Sequence, residues 1–178
     1  LKIDNVILEA SSHGLKQYRL NNINFNTALF TNLSRDHLDY HKTFKDYLNS
    51  KLILFNKLLK KKGNIIFDDK ITQAKQLNNI LKKRKLKKYS FGTEKSFINI
   101  LKIQKINDKK KVNFSIHKKK YSFKTSLIGK VQVKNLIFAI VAAYLSKLKI
   151  NNILKSINKI KPVNGRLEKI GKIRNKSK

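Results

Sequence analysis

The stretch Thr31-Asn-Leu-Ser-Arg-Asp-His-Leu-Asp-Tyr-His41 gathers two Asp and two His into its last six positions. A second polar block, Glu9-Ala-Ser-Ser-His-Gly14, stands earlier in the chain. Each block lies at the end of a short apolar run, residues 5–10 and residues 27–31, of the kind that forms a buried strand. Open α/β sheets build their sites in the crevice outside the carboxyl ends of such strands. The two blocks therefore predict an α/β fold with a polar site at one edge of its sheet.

The rest of the chain supplies the other elements of a single α/β domain. The strongest helical period covers residues 43–60, with Thr43 as N-cap and Gly63 beyond the end. Further helices are predicted over residues 71–83, 129–149 and 151–161, and further strands over residues 64–67, 87–91 and 167–173. Three alternating segments, residues 98–106, 112–117 and 121–127, predict an antiparallel meander. The expected fold is a mostly parallel sheet flanked by helices, with this small meander appended to the sheet.

Composition agrees with a folded domain of ordinary size. The chain has 178 residues, of which 40% are hydrophobic, and it contains no Cys. The lack of thiols fits a reducing compartment, so we expect a cytoplasmic location. The longest apolar run, residues 136–145, is far shorter than the roughly 20 residues of a membrane span. The first residue is Leu and Met is absent, so we expect an internal fragment or a processed product.

The formal net charge of +32 raises the question of nucleic-acid binding. Nearly all of the 42 basic residues are Lys, however, and Arg stands only at positions 19, 35, 84, 166 and 174. Arg is the residue suited to bidentate recognition of phosphate and guanine. The Lys residues are spread over the whole chain together with many Ile and Asn, as a coding bias would produce. The composition favours a solvated Lys-rich surface over a nucleic-acid interface.

The 36–41 segment allows three interpretations from its residues alone. His37 and His41 stand four positions apart, like paired zinc ligands on a helix, but the accompanying Glu-x-x-His arrangement is missing. The Asp36 and Asp39 oxygens suit a hard cation such as Mg²⁺. The third interpretation, favoured for an isolated stretch, is a helix N-terminus capped by one of these Asp residues, with the His side chains in solvent. Glu9 is likewise either a satisfied polar group or a metal ligand.

The two blocks together resemble a known family. Residues 9–19 match the E-x-S-S-H-G-L-x-Q-x-R signature of the Mur ligases, and the Thr31 to His41 stretch is similar to the family's next block. Further matches follow in the family's order, at Lys51, Gly129, Asn135 and Pro162-Val-Asn-Gly-Arg-Leu-Glu168. Within the family, the blocks are most similar to the ligases that add the third amino acid to UDP-N-acetylmuramoyl-L-alanyl-D-glutamate.

The resemblance implies ATP-dependent amide formation in peptidoglycan precursor synthesis. In that family the D-glutamate carboxylate is phosphorylated, and the amine of diaminopimelate or lysine attacks the acyl phosphate. Two anions must approach each other, which requires Mg²⁺ and cationic groups. By resemblance, Glu9 and His37 hold Mg²⁺, and Lys51 reacts with CO₂ to become a carbamate that supports the metal. That reaction needs a neutral amine, hence a desolvated Lys with a lowered pKa.

The resemblance also assigns substrate contacts. Ser11, Gln17 and Arg19 match positions that contact the UDP-muramoyl dipeptide. Asn135 matches a contact to the ATP base, and Arg166 matches a residue that reaches the nucleotide phosphates, which a planar guanidinium clamps in a bidentate manner. The family usually has Asn three residues before Asn135, whereas this chain has Gln there.

Mur ligases carry a G-x-x-x-x-G-K-[ST] phosphate loop upstream of the first block, and this chain contains no such motif. By resemblance, residues 1–178 form the central ATP-binding domain, truncated at both ends, without that loop and without the C-terminal domain that selects the amino acid. We expect a monomer that is inactive as a ligase alone. Three alternatives stay open: a folylpolyglutamate synthase-like ligase, a basic nucleic-acid-binding module and a degenerate homologue without activity.

Overall fold

The computed structural model describes residues 3–34 and 36–163. Its strands are β1 (Phe25–Phe30), β2 (Leu59–Asp68), β3 (Lys87–Phe91), β4 (Ile98–Ile106), β5 (Lys109–Ile116) and β6 (Lys119–Thr125). Its α-helices are α1 (Ser12–Lys16), α2 (Leu38–His41), α3 (Phe44–Ile53), α4 (Ala74–Arg84), α5 (Lys130–Leu145) and α6 (Ile150–Ile157). A π-helical turn over Leu54–Leu58 joins α3 to β2.

The six strands form one sheet in the order β1-β2-β3-β4-β5-β6. β1, β2 and β3 are parallel, and β4 joins β3 through the parallel pair Phe91 and Ile98. β4, β5 and β6 then form an antiparallel meander. The predicted α/β class and the predicted meander are therefore confirmed, and the meander extends the parallel sheet directly.

β2 lies between two hydrophobic cores because its side chains alternate between the two faces of the sheet. Ile65 and Phe67 belong to the core that includes α1, α3, α4 and the π-helical turn. Ile66 belongs to the core that includes α5, α6 and the meander. All three side chains are fully buried. A strand buried on both faces has a continuous apolar sequence, which is why residues 64–67 are recognisable as a strand.

The helix predicted over residues 43–60 ends earlier than its period suggests. Thr43 caps α3 as predicted, its hydroxyl accepting a hydrogen bond from a first-turn N–H at 3.1 Å. The α-helix ends at Ile53, however, and Leu59 already pairs with β1. Gly63, predicted to follow the helix, lies inside β2. These two predictions are wrong because strand pairing and the burial of Leu59 override the helical period.

Residues 5–10 do not form the predicted buried strand. The segment belongs to no strand, and its Val6 and Ile7 side chains are 72% and 93% exposed. The described sheet ends at β1, which pairs only with β2. An apolar run becomes a buried strand only where a neighbouring strand and a covering layer are present, and the described residues provide neither for this segment.

The other predicted helices and strands within the described residues lie where the sequence predicts them, and their ends differ from the prediction by a few residues. Residues 87–91 coincide with β3, and the helices predicted over residues 71–83, 129–149 and 151–161 correspond to the shorter α4, α5 and α6. The strand predicted over residues 167–173 lies outside the described residues. No helix in the described part of the chain is long and apolar enough to cross a bilayer.

The two cores lead to a testable prediction about β2. Replacing the fully buried Ile66 with Ala leaves a cavity, and we expect the free energy of unfolding to fall by about 2–5 kcal/mol. Ile65→Ala, on the other face, should have a similar effect. Ile103→Ala is the matched control, because that side chain is 44% exposed and should change the free energy by less than about 0.5 kcal/mol. Urea unfolding measures these values, and equal losses at positions 66 and 103 would contradict the two-core arrangement.

Candidate active site

The two polar blocks meet on one side of the sheet, near the carboxyl end of β1. The first block forms α1, and the second follows β1 and leads through α2 into α3. Lys16 of α1 forms an ion pair with Asp46 of α3 at 2.5 Å. Gln17 donates a hydrogen bond to the Tyr40 hydroxyl at 3.2 Å. The blocks are therefore joined in space, although only the second one directly follows a strand.

Three of the four His residues come together between these helices. Measured between ring centroids, His13 lies 5.1 Å from His37 and 5.3 Å from His41. It also packs against Tyr40 at 4.1 Å. Rings at these distances are in packing contact, so aromatic packing as well as hydrogen bonding holds the cluster together. The fourth, His117, is exposed on the meander.

His41 is the buried centre of this cluster. Its Nε2 lies 2.9 Å from the Ser12 hydroxyl, and its Nδ1 lies 3.5 Å from the Ser50 hydroxyl and 3.6 Å from the Asp46 carboxylate. The Ser50 hydroxyl already donates to the Asp46 carbonyl oxygen at 2.8 Å, so its oxygen can accept from Nδ1–H. Burial lowers the pKa of the ring and so favours its neutral form, and the pattern then assigns the proton to Nδ1, with Nε2 accepting from Ser12.

This arrangement rules out two of the three interpretations of the 36–41 segment. Both nitrogens of the fully buried His41 face protein groups, so this side chain is neither a zinc ligand nor in solvent. Neither Asp36 nor Asp39 caps α2, because the N-cap residue is His37, at φ 57°, and α2 has no side-chain cap. Asp36 instead accepts a hydrogen bond from the His37 N–H at 2.9 Å. The zinc and capping interpretations are both wrong.

Lys51 lies on α3, one turn after Tyr47, and is half-buried. Burial lowers the pKa of its ammonium group, and the carboxylates of Glu9 and Asp36 act in the opposite direction. The Lys51 Nζ lies 5.3 Å from the centroid of the Tyr47 ring, within cation–π distance. A lowered pKa is what a reaction with CO₂ requires, because only the neutral amine is a nucleophile. Glu9 itself is exposed, not buried at a strand end.

His37, the N-cap residue of α2, lies beside the Tyr47 and Asp36 side chains. The edge of its ring meets the Tyr47 ring at a centroid distance of 5.8 Å, and its Nε2 lies 3.7 Å from the Asp36 carboxylate. Its side chain is 46% exposed, which leaves it accessible to a ligand. His37 and Lys51 are thus connected through the Tyr47 ring and the Asp36 carboxylate, and Glu9 lies near enough to Lys51 to raise its pKa.

The carboxylate donors at this surface suit a hard divalent cation. Within residues 3–34 and 36–163, no cluster of three or more His, Asp or Glu side chains could enclose a metal ion. Mg²⁺ is commonly held by one or two protein ligands, with water and phosphate oxygens completing its shell. Of the candidate ligands at this surface, the exposed Glu9 carboxylate is an oxygen donor that suits this mode of binding.

The three residues predicted to contact the dipeptide lie on or beside α1. Ser11 caps the helix, its hydroxyl accepting from the Gly14 N–H at 3.1 Å. Gln17 uses its amide NH₂ in the bond to Tyr40, which leaves its amide oxygen as an acceptor. Arg19 follows in the next turn and is exposed. The structure brings these residues together on one surface segment.

Asn135 lies on the opposite face of the sheet from Lys51. It is exposed on α5, which packs against the core on that face. The neighbouring Lys134 pairs with the buried Asp68 at 2.5 Å, at the carboxyl end of β2. This ion pair anchors the first half of α5 at the sheet edge where β2 ends. Arg166 lies outside the described residues.

The sequence patterns assign no role to four residues that the structure places in or beside the site. Ser12 and Ser50 face His41 from two helices, and Tyr47 stacks on it at 5.2 Å. For these side chains the sequence offers one signal of a role in the site, the spacing of four positions between Tyr47 and Lys51 on α3. Asp68 stands out in the sequence only as part of a carboxylate pair at a strand end, and its partner Lys134 is distant in sequence.

Comparison with known proteins identifies the family. The Mur ligase middle domain matches residues 1–143, and the chain belongs to the Mur ligase family. The UDP-N-acetylmuramoyl-L-alanyl-D-glutamate–2,6-diaminopimelate ligase of Rickettsia bellii is 38% identical over 173 residues, which cover 96% of this chain and 36% of the relative. The ligase of the same name from Zymomonas mobilis is 33% identical over 167 residues, 94% of this chain and 34% of the relative. The chain thus spans about a third of the length of these relatives.

Solved structures agree with the fold. A structure of a UDP-N-acetylmuramoyl-L-alanyl-D-glutamate–2,6-diaminopimelate ligase superimposes with a TM-score of 0.80 at 26% identity, covering 92% of this chain and 34% of that one. MurF from Acinetobacter baumannii gives 0.72 at 17% identity, with coverages of 84% and 32%. An FPGS–AMPPCP complex gives 0.69 at 16% identity, with coverages of 85% and 38%. The last two likenesses concern the fold alone.

The buried His41 leads to a prediction about pH. Burial lowers the pKa of His41, with the Asp46 carboxylate opposing this effect. The unfolded chain takes up a proton near pH 6.5 while the folded chain resists it, so stability is lost as the pH falls below about 6.5 and the loss levels off below the folded-state pKa. We expect a slope of up to about 1.4 kcal/mol per pH unit in this window, measured by urea unfolding at a series of pH values.

Two variants isolate this titration. His41→Gln removes the group, so the slope just below pH 6.5 should flatten even if the protein is less stable. His117→Gln, which removes an exposed imidazole on the meander, is the matched control. A slope that persists in the His41 variant would contradict the assignment.

Proposed function

We propose that this chain is the central domain of a ligase that uses ATP to add diaminopimelate or lysine to UDP-N-acetylmuramoyl-L-alanyl-D-glutamate. The observation that carries the proposal is the half-buried Lys51, its pKa lowered, in the field of the Glu9 and Asp36 carboxylates. The Rickettsia bellii ligase supports it, because its 38% identity extends over 96% of this chain.

Lys51 is proposed to react with CO₂. The neutral Nζ forms a bond to the carbon of CO₂, and one N–H proton leaves to water, which gives a carbamate with one negative charge. Burial favours the neutral amine that starts this step, although Glu9 and Asp36 oppose it. The product would turn a cationic side chain into an anionic oxygen donor in the group that contains Glu9 and His37.

Glu9 and His37, with the carbamate, are the groups proposed to hold Mg²⁺. When bound, the ion would neutralise charge where a carboxylate and the ATP phosphates approach each other. The proposed reaction then has two steps. The D-glutamate carboxylate oxygen attacks the γ-phosphorus of ATP and ADP leaves. The amine of the incoming amino acid next attacks the acyl carbon, phosphate leaves, and the amine proton passes to solvent.

The substrate roles are distributed over the two faces of the sheet. Ser11, Gln17 and Arg19 are proposed to hold the UDP-linked dipeptide, supported by their common surface beside α1. Asn135 is proposed to contact the ATP base and Arg166 its phosphates. Because ATP and the UDP-linked precursor are cytoplasmic metabolites, the proposed reaction takes place in the cytoplasm. The proposed working form is a monomer with a solvated Lys-rich surface.

The carbamate gives a direct test. The purified chain is equilibrated with ¹³C-bicarbonate, the carbamate is detected by ¹³C NMR, and chemical trapping followed by peptide mapping locates it. We expect the label on Lys51, because burial lowers the pKa of that amine and so favours the neutral form that reacts.

Two matched variants complete this experiment. Lys51→Arg should abolish the signal, whereas Lys57→Arg, which changes an exposed lysine one turn and a half further on, should retain it. A label spread over surface lysines, or one that persists in Lys51→Arg, would count against the proposed site.

A further inference from the structure

The Tyr47 ring is shared by three polar side chains of the site. His41 stacks on it at 5.2 Å with an interplanar angle of 27°. The His37 ring meets it edge-on at 84°, and the Lys51 Nζ lies within cation–π distance of its centroid. Tyr47 itself is 4% exposed, so the ring is enclosed by these neighbours and by the core. The orientation of this ring therefore influences where His37 and Lys51 stand.

His41 is the neighbour best able to hold that ring. It is fully buried, and hydrogen bonds to Ser12 on α1 and Ser50 on α3 fix its two nitrogens. His37 and Lys51 are partly exposed and have more freedom to move. An imidazole with both nitrogens bonded can restrain a stacked ring, whereas a long, partly exposed side chain adds little restraint.

The hydrogen bonds of His41 also connect the two ends of the site. Ser12 follows Ser11, which is proposed to contact the dipeptide, and Ser50 precedes Lys51 in α3. A displacement of the imidazole would therefore move the substrate helix relative to the lysine-bearing helix. Packing of this kind transmits position because protein interiors are close to solid density.

We propose that His41 is a positioning residue: through its stacking on Tyr47 and its bond to Ser12, it sets the place of Lys51 and His37 relative to α1. The inference rests on the proposed function for the importance of Lys51, and it adds a residue that touches neither substrate nor metal. A purely structural histidine would alter stability without altering the Lys51 environment, so the two roles are separable.

The test is NMR of the chain labelled with ¹³C at lysine. The Tyr47 ring current should displace the ε-CH₂ protons of Lys51 from the common lysine position, and this shift reports the Lys51–Tyr47 geometry without any activity assay. His41→Asn, which removes the stacked ring, should return the resonance towards the common position. We also expect Lys51 carbamate, measured as above, to fall about fivefold, the effect of losing about one buried hydrogen bond.

Two further variants separate the contributions. His41→Phe keeps an aromatic ring against Tyr47 and should retain most of the Lys51 shift, whereas Ser12→Ala removes one hydrogen bond with little change in volume and should reduce the shift partially. His117→Ala is the control for loss of an imidazole elsewhere. Amide spectra establish that each variant is folded. If His41→Asn does not fold, Ser12→Ala gives the same test.

A folded His41→Asn or Ser12→Ala variant with an unchanged Lys51 resonance and unchanged carbamate would overturn the proposal. A Lys51 resonance that depends on His41, in a chain that forms no carbamate, would support the positioning role and count against the proposed chemistry of Lys51. A failure of the positioning role of His41 and a failure of the proposed Lys51 chemistry therefore give different results in one set of spectra.

Discussion

The burial of a neutral His41 imidazole between α1, α2 and α3 is the constraint on which the polar side of this fold depends. A buried imidazole is costly unless its nitrogens are hydrogen-bonded, and here the partners Ser12 and Ser50 come from two different helices. Satisfying both nitrogens brings the first polar block against the second. The Lys16–Asp46 ion pair spans the same helices, but both side chains are more than a third exposed, so its contribution is modest.

A different set of polar contacts lies at the neighbouring ends of β2 and β3. Asp68, buried at the end of β2, binds Lys134 of α5 and the Lys70 N–H. Gly92, with φ 117°, follows β3 at this point, and a Cβ there would lie 2.5 Å from the Asp68 carboxylate. Charged and hydrogen-bonded groups therefore secure helices on both faces of the sheet beside the strand ends. This places Ser11 and Asn135, two of the proposed substrate contacts, on helices that pack against the sheet.

Sequence patterns were informative wherever local geometry decides structure. β3 lies at its predicted residues and Thr43 caps α3, because alternation and capping are local properties. The end of α3 and the exposure of residues 5–10 depend on which strands pair, and periodicity does not contain that information. At the site, only the family resemblance distinguished Lys51 from the many other lysines. The structure adds a physical difference, because burial lowers the pKa of its ammonium group. His41 was predicted to lie in solvent because nothing in the sequence links it to its two partners. Ser12 belongs to the first polar block, and Ser50 lies on α3.

The joining of the two polar blocks depends most directly on the protonation state of His41, which long-range ¹H–¹⁵N correlation spectra of the imidazole ring report. At neutral pH we expect an uncharged ring with its proton on Nδ1, and an Nε2 chemical shift typical of an unprotonated acceptor. The Nδ1 proton should also exchange slowly with water, because the side chain is fully buried. A charged ring, or a proton on Nε2 in fast exchange with solvent, would contradict the arrangement that joins the two polar blocks.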